Sequence, residues 1–218
     1  MITPLKKIPL KLLCKEPIMF DANIFMVGIE KRASDINYSF ESIKKLYLIP
    51  LFESFDNIII HEKVYSEIDE ECKSFIREYS DKIMIVSEDN LYGIDPQYTT
   101  IFNNISNHEK VKYYRKSSKD SGEVYSLAYA AFHNINYFCS KEIMVDIIAD
   151  EINDLENVQV ITFDVIVLLA YIYHNFKNIK KHDKALKSIY KRYCEDVIKR
   201  HKLPPKLLDY VKESSKFI

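Results

Sequence analysis

Four acidic side chains carry the chemistry this sequence can do: Asp21, Glu67, Glu123 and Glu142. Asp21 closes the apolar run Pro17-Ile18-Met19-Phe20, and Glu67 comes shortly after Ile58-Ile59-Ile60. Glu123 opens the apolar stretch over residues 124–132, and Glu142 sits just past residues 135–139. Short apolar runs read as buried strands, and an acid beyond a strand end can line a cleft at the edge of a parallel sheet. Carboxylates gathered in one cleft repel one another. They are stable together only if protonated, well solvated or neutralised by a cation, and hard divalent ions prefer oxygen ligands. The chemistry that fits is metal-assisted cleavage of a phosphodiester.

Each acid also has a plainer reading. Asp21 suits a helix cap, with Asn23 placed to orient it if it is a ligand instead. Glu67 stands among Glu62, Asp69, Glu70 and Glu71, the composition of a solvated helix face, yet its spacing from Val64 turns it inward. Asp120-Ser121-Gly122-Glu123 fits a capping box with Asp120 as the cap. Leu127, Ala130 and Ala131 follow Glu123 at helical spacing, which puts that carboxylate on a buried side. Glu142 suits the first turn of a helix, with Asp146 one turn on along the same face. Singly, these acids read as structural. Together they share one topological position, at strand ends or the helix starts beside them.

The elements that must position them alternate. Strands are expected over residues 17–20, 57–61, 83–86, 135–140 and 158–163, and helices over 23–55, 63–79, 123–133 and 143–152. Residues 87–98 read as a loop, 98–116 as a polar, Tyr-rich helix and 117–122 as a turn. Strands alternating with helices predict an α/β fold: a mainly parallel five-stranded sheet flanked by helices on both faces. Beyond residue 164 only helices are expected, so the chain divides into a domain over 1–164 and a C-terminal helical extension over 165–218.

Composition narrows the classes. At 218 residues with 47% hydrophobic content the chain can bury a substantial core. With only 3 glycines it carries no Gly-rich phosphate loop. A net charge of −1 gives no overall nucleic-acid signature. Cys14, Cys72, Cys139 and Cys194 form no C-x-x-C pair, which argues against a cysteine zinc site and for reduced thiols. No signal peptide is visible and residues 165–173 are too short to cross a bilayer, so a soluble cytoplasmic protein with no membrane association is expected.

The ordered motifs resemble the PIN-domain ribonucleases, the group that includes toxins of many toxin–antitoxin pairs. Phe20-Asp21-Ala22-Asn23 is similar to their first motif, an apolar strand ending in Asp-x-Asn. The segment from Ile58 through Glu67 is similar to their strand and helix with an inward Glu. Asp120-Ser121-Gly122-Glu123 resembles the acid that opens an Ala-rich helix. Ser140-Lys141-Glu142 stands where the family has Thr/Ser-x-Asp, so Glu142 keeps the charge on a longer arm. The match runs over residues 17–163. It implies a PIN-like three-layer fold, Mg²⁺ or Mn²⁺ dependence, single-stranded RNA as substrate and, for toxin members, an antitoxin partner and homodimers.

On that resemblance Asp21, Glu67, Glu123 and Glu142 hold the metal, while Asn23, Asp120, Ser140 and Asp146 support them. Lys110, Lys112, Arg115, Lys116 and Lys119, interleaved with Tyr113 and Tyr114, can meet phosphates and unpaired bases, or form a solvated helix face. The expected activity is hydrolysis of RNA phosphodiesters by a toxin or defence effector. The alternative is an inactive PIN-like scaffold that binds RNA or a protein partner.

Overall fold

The strands form where β-branched and aromatic residues run together: β1 (Ile18–Phe20), β2 (Ile58–His61), β3 (Ile83–Val86), β4 (Tyr137–Ser140) and β5 (Gln159–Thr162). The structure, a computed structural model, describes residues 15–26, 39–88, 91–114 and 122–189. The five strands make one sheet in the order β3-β2-β1-β4-β5, and every pairing is parallel. The sheet expected as mainly parallel is wholly so.

Ten α-helices are described: α1 (Ala22–Phe25), α2 (Phe40–Ile43), α3 (Ile49–Ser54), α4 (Glu62–Glu67), α5 (Glu70–Arg77), α6 (Pro96–Asn107), α7 (Glu109–Tyr114), α8 (Gly122–Phe132), α9 (Ile143–Glu151) and α10 (Phe163–Phe176). Alternation along the strands sends Ile18, Phe20, Ile58, Ile60 and Ile161 to one face, under α3, α5 and α10. Met19, Ile59 and Phe138 face the other side, under α6, α8 and α9. The result is the three-layer arrangement implied above. Ala128 and Ala130 are fully buried, and their small side chains let α8 lie close on the sheet.

Two local departures have clear causes. The expected helix over 63–79 is two helices, because Ile68 is extended and the Asp69 carboxylate caps α5 by accepting from the Cys72 N–H at 2.8 Å. Between α2 and α3 the chain widens into a π-helical turn, Lys44–Leu48. Pro50 follows it, and a proline there has no N–H for the carbonyl four residues back. In α10, residues 165–172 are all buried, so the described part of the C-terminal extension shares the core of the sheet. No helix among the described residues is long and apolar enough to cross a membrane. The helices expected beyond residue 189 lie outside the described residues, as do Asp120, Arg115, Lys116 and Lys119.

Candidate active site

The chain leaves β1 and then crosses to opposite sides of it: β2 and β3 lie on one flank, β4 and β5 on the other. Such a switch point opens a crevice beyond the carboxyl ends of the two central strands, here β1 and β4. Asp21 stands there, 1% exposed, its N–H donating to the Cys139 carbonyl at 3.0 Å. Asp21 Oδ1 accepts from the Ala22 N–H at 2.7 Å, so the residue does cap α1. Asp21 Oδ2 accepts from Asn23 Nδ2 at 2.5 Å and from the Ser140 hydroxyl at 2.8 Å. Ser140 Oγ accepts in turn from the Glu142 N–H at 3.1 Å, and Asn23 Oδ1 from the Lys141 N–H at 3.0 Å. The turns after β1 and β4 are thereby locked together around one carboxylate.

Glu67, expected to face inward, is exposed at the end of α4, yet close enough for its charge to act on Asp21. A Cβ on Gly122 would stand 2.9 Å from Val64 Cγ2 and 3.0 Å from Glu67 Oε1. Only glycine allows the first turn of α8 to approach α4 this closely, and Glu123 is the next residue on. The contact sets the start of α8 beside Glu67, and the charges of both Glu67 and Glu123 act on Asp21, although neither stands near it in the chain.

The electrostatics follow from that crowding. Burial pushes the Asp21 carboxyl well above its usual range, and the charges of Glu123 and Glu67 push it further, against the hydrogen bonds from Ser140 and Ala22. Three donors aimed at one carboxylate favour its anion, while burial and two neighbouring anions oppose it. A cation satisfies both demands. The donor set is all oxygen, which suits a hard divalent ion such as Mg²⁺ or Mn²⁺. The donor types fit the expected metal, although one oxygen from each of Asp21, Glu67 and Glu123 does not come within 4.8 Å of the other two, so these side chains must turn inward to share an ion.

The other expected residues are placed less uniformly. Glu142 is at the same edge, linked through its backbone to Ser140, but its side chain is exposed and makes no capping hydrogen bond. Asp146 is exposed one turn along α9. Lys110 is ion-paired to Glu151 at the far end of α9, and Lys112 is exposed on α7.

Sequence reasoning passed over two buried groups. Asp164, 4% exposed in the first turn of α10, accepts from Thr162 Oγ1 at 2.5 Å. Thr162-Phe163-Asp164 repeats the Ser/Thr-x-acid pattern of Ser140-Lys141-Glu142 on the neighbouring strand, with Ser140 and Thr162 in register. Burial pushes the Cys139 thiol well above its usual value, and Asp21 and Asp164 both add to the shift, which ties Asp164 to the same edge. The second group is His61, fully buried at the end of β2. Its Nδ1 accepts from the Lys63 N–H at 3.2 Å, so Nε2 carries the proton toward Glu88 Oε2, 2.7 Å away. Its ring stacks on Tyr125 of α8 at 5.6 Å. His61 thus ties α4 to α8, the two helices that carry Glu67 and Glu123.

Set beside family models, curated proteins and solved structures, the chain matches none. The functional reading rests on the fold and this geometry.

Proposed function

We propose that this chain is a metal-dependent endoribonuclease of the PIN type, acting on single-stranded RNA. One observation carries the reading: a buried Asp21 at the sheet's switch point, held by three donors and pressed by Glu123 and Glu67. Asp21, Glu67 and Glu123 would hold Mg²⁺ or Mn²⁺. Such an ion, when bound, supplies Lewis acidity toward water and toward the phosphate oxygens. Ser140 and Asn23 fix the Asp21 carboxylate so that both its oxygens are oriented before substrate arrives. Hydrolysis would leave a 5′ phosphate and a 3′ hydroxyl. Within this reading the protein works in the cytoplasm as a toxin or defence effector, restrained by a protein antitoxin.

The test is incubation of labelled single-stranded RNA with Mn²⁺ and either the natural chain or Asp21→Asn. The natural chain cuts, and the variant loses more than about 100-fold in rate. Equal rates would remove the acid cluster from the chemistry. The exposed side chain of Glu142, where the family has Asp, favours a second reading, an inactive scaffold that binds RNA or protein. In that case Mn²⁺ gives no thermal stabilisation that Asp21→Asn abolishes.

A further inference from the structure

Glu53 on α3, His174 on α10 and His182 in the 3-10 turn Lys180–His182 meet at a second polar cluster. His174 lies ten residues past Asp164 in the same helix. That spacing is about 15 Å of axial rise, so the cluster belongs to the end of α10 remote from the acidic edge. We propose that Glu53, His174 and His182 bind one transition-metal ion of the Zn²⁺ class.

One ligand atom from each residue lies within 4.8 Å of the other two. A tetrahedral ion with bonds near 2.0–2.1 Å sets its ligands about 3.4 Å apart, so closing on it takes little more than side-chain rotation. The two imidazoles are already face to edge, ring centroids 4.6 Å apart at 63°. Two nitrogens and one carboxylate oxygen suit Zn²⁺ and its neighbours rather than Mg²⁺.

His174 supplies the second observation. It is fully buried, and its Nε2 lies 2.9 Å from the Pro50 carbonyl, which can only accept. Nε2 therefore carries the proton and Nδ1 a bare lone pair, and Nδ1 has no hydrogen-bond partner. A buried imidazole that donates one N–H to a backbone carbonyl and keeps its other nitrogen bare is the arrangement metal-binding histidines adopt. The Ser54 hydroxyl also donates to the Pro50 carbonyl, at 2.7 Å, which fixes that acceptor in place.

His182 Nε2 lies 2.9 Å from Glu53 Oε2 and Lys181 Nζ lies 3.2 Å from Glu53 Oε1. Without an ion, the His182 N–H proton stands between the two prospective ligands. Metal at Nε2 would displace that proton, and the neutral ring would carry its N–H on Nδ1 instead. Lys181 holds the other carboxylate oxygen, which leaves Oε2 for the ion. Coordination would join α3, α10 and the 3-10 turn through one centre, with a fourth position for water.

Zn²⁺ chloride titrated into the full chain, freed of any histidine tag, tests this by calorimetry and by nitrogen-15 NMR of the imidazoles. One equivalent should shift the ring nitrogens of His174 and His182, and Glu53→Gln and His182→Asn should each raise the Kd at least tenfold. Asp21→Asn should leave the Kd unchanged, separating this site from the acidic edge. Ring nitrogens of His174 and His182 that do not move, or a Kd unaffected in both variants, would overturn the proposal. The NMR readout on the natural chain decides the matter even if a variant fails to fold.

Discussion

The acidic edge and the Glu53–His174–His182 cluster both place polar groups inside an apolar body, and they do so on opposite terms. At the edge, burial and like charges work against the Asp21 anion, while Ser140, Asn23 and Ala22 are arranged to receive it. At the second cluster, burial pushes the Glu53 carboxyl up, but the hydrogen bonds from Lys181 and His182 outweigh it and hold the group below its usual range. One region crowds charge of a single sign around a buried carboxyl. The other is satisfied by its own protein charges, and its one unmet group is a neutral lone pair on His174. A strained polar cluster marks a site that sacrifices stability for chemistry, and a satisfied one marks a clamp.

Removing a donor at the edge should have the largest effect. Ser140→Ala deletes the hydroxyl that donates to Asp21 Oδ2 and accepts from the Glu142 N–H, yet removes no carboxylate. Mn²⁺ affinity and Mn²⁺-dependent RNA cleavage should fall by about 10–100-fold, as for other groups that orient a ligand. Calorimetry and a cleavage assay measure both. An unchanged Mn²⁺ affinity would mean that Asp21 is not held for a metal at all.

A smaller effect is expected from Gly122→Ala. The added methyl meets Val64 Cγ2 at 2.9 Å and Glu67 Oε1 at 3.0 Å, and the Val64 side chain is fully buried. Overpacking there should cost about 2 kcal/mol in urea unfolding and displace Glu67 from the crevice. If Gly122→Ala is as stable as the natural chain and as active, α4 and α8 are not closely apposed and the edge loses its second carboxylate.

The edge was legible in sequence because a parallel sheet converts chain position into spatial position. Asp21 follows β1 and Ser140 ends β4, so pairing of β1 with β4 brings them together whatever lies between. Gly122 was legible too, as part of Asp-Ser-Gly-Glu, although its role as the point of contact with Glu67 needed coordinates. Asp164 was not legible because it stands in the first turn of a helix whose following residues are almost all apolar, where an acid reads as an ordinary dipole partner. The break at Ile68 was missed because Val64, Ile68, Cys72 and Ile76 keep one apolar stripe, and all four are buried despite the interruption. Glu53, His174 and His182 carried no signal, since they sit on helix ends brought together by packing, with no periodicity to mark them.

The smallest effects bear most directly on sign. Glu123→Gln removes a charge that opposes the Asp21 anion, so the cation-free protein should gain about 1 kcal/mol at pH 8. Glu53→Gln removes a charge held by Lys181 and His182, and partly screened by solvent, so it should lose about 1 kcal/mol under the same conditions. The pH trends oppose each other as well. With its carboxyl raised, folded Asp21 keeps its proton at pH values where the unfolded chain has lost it, so stability falls as pH rises through that window. With its carboxyl lowered, Glu53 contributes stability above its unfolded value and loses it as pH falls through the folded one. Thermal melts in chelator between pH 4 and pH 8 should therefore show the benefit of Glu123→Gln growing toward high pH. Added Mn²⁺ should reverse that benefit, because the natural chain then gains the counter-charge that the variant no longer needs. A Glu123→Gln protein less stable than the natural chain at pH 8 in chelator would mean that the edge is already neutralised by the protein itself, and the contrast between the two clusters would vanish.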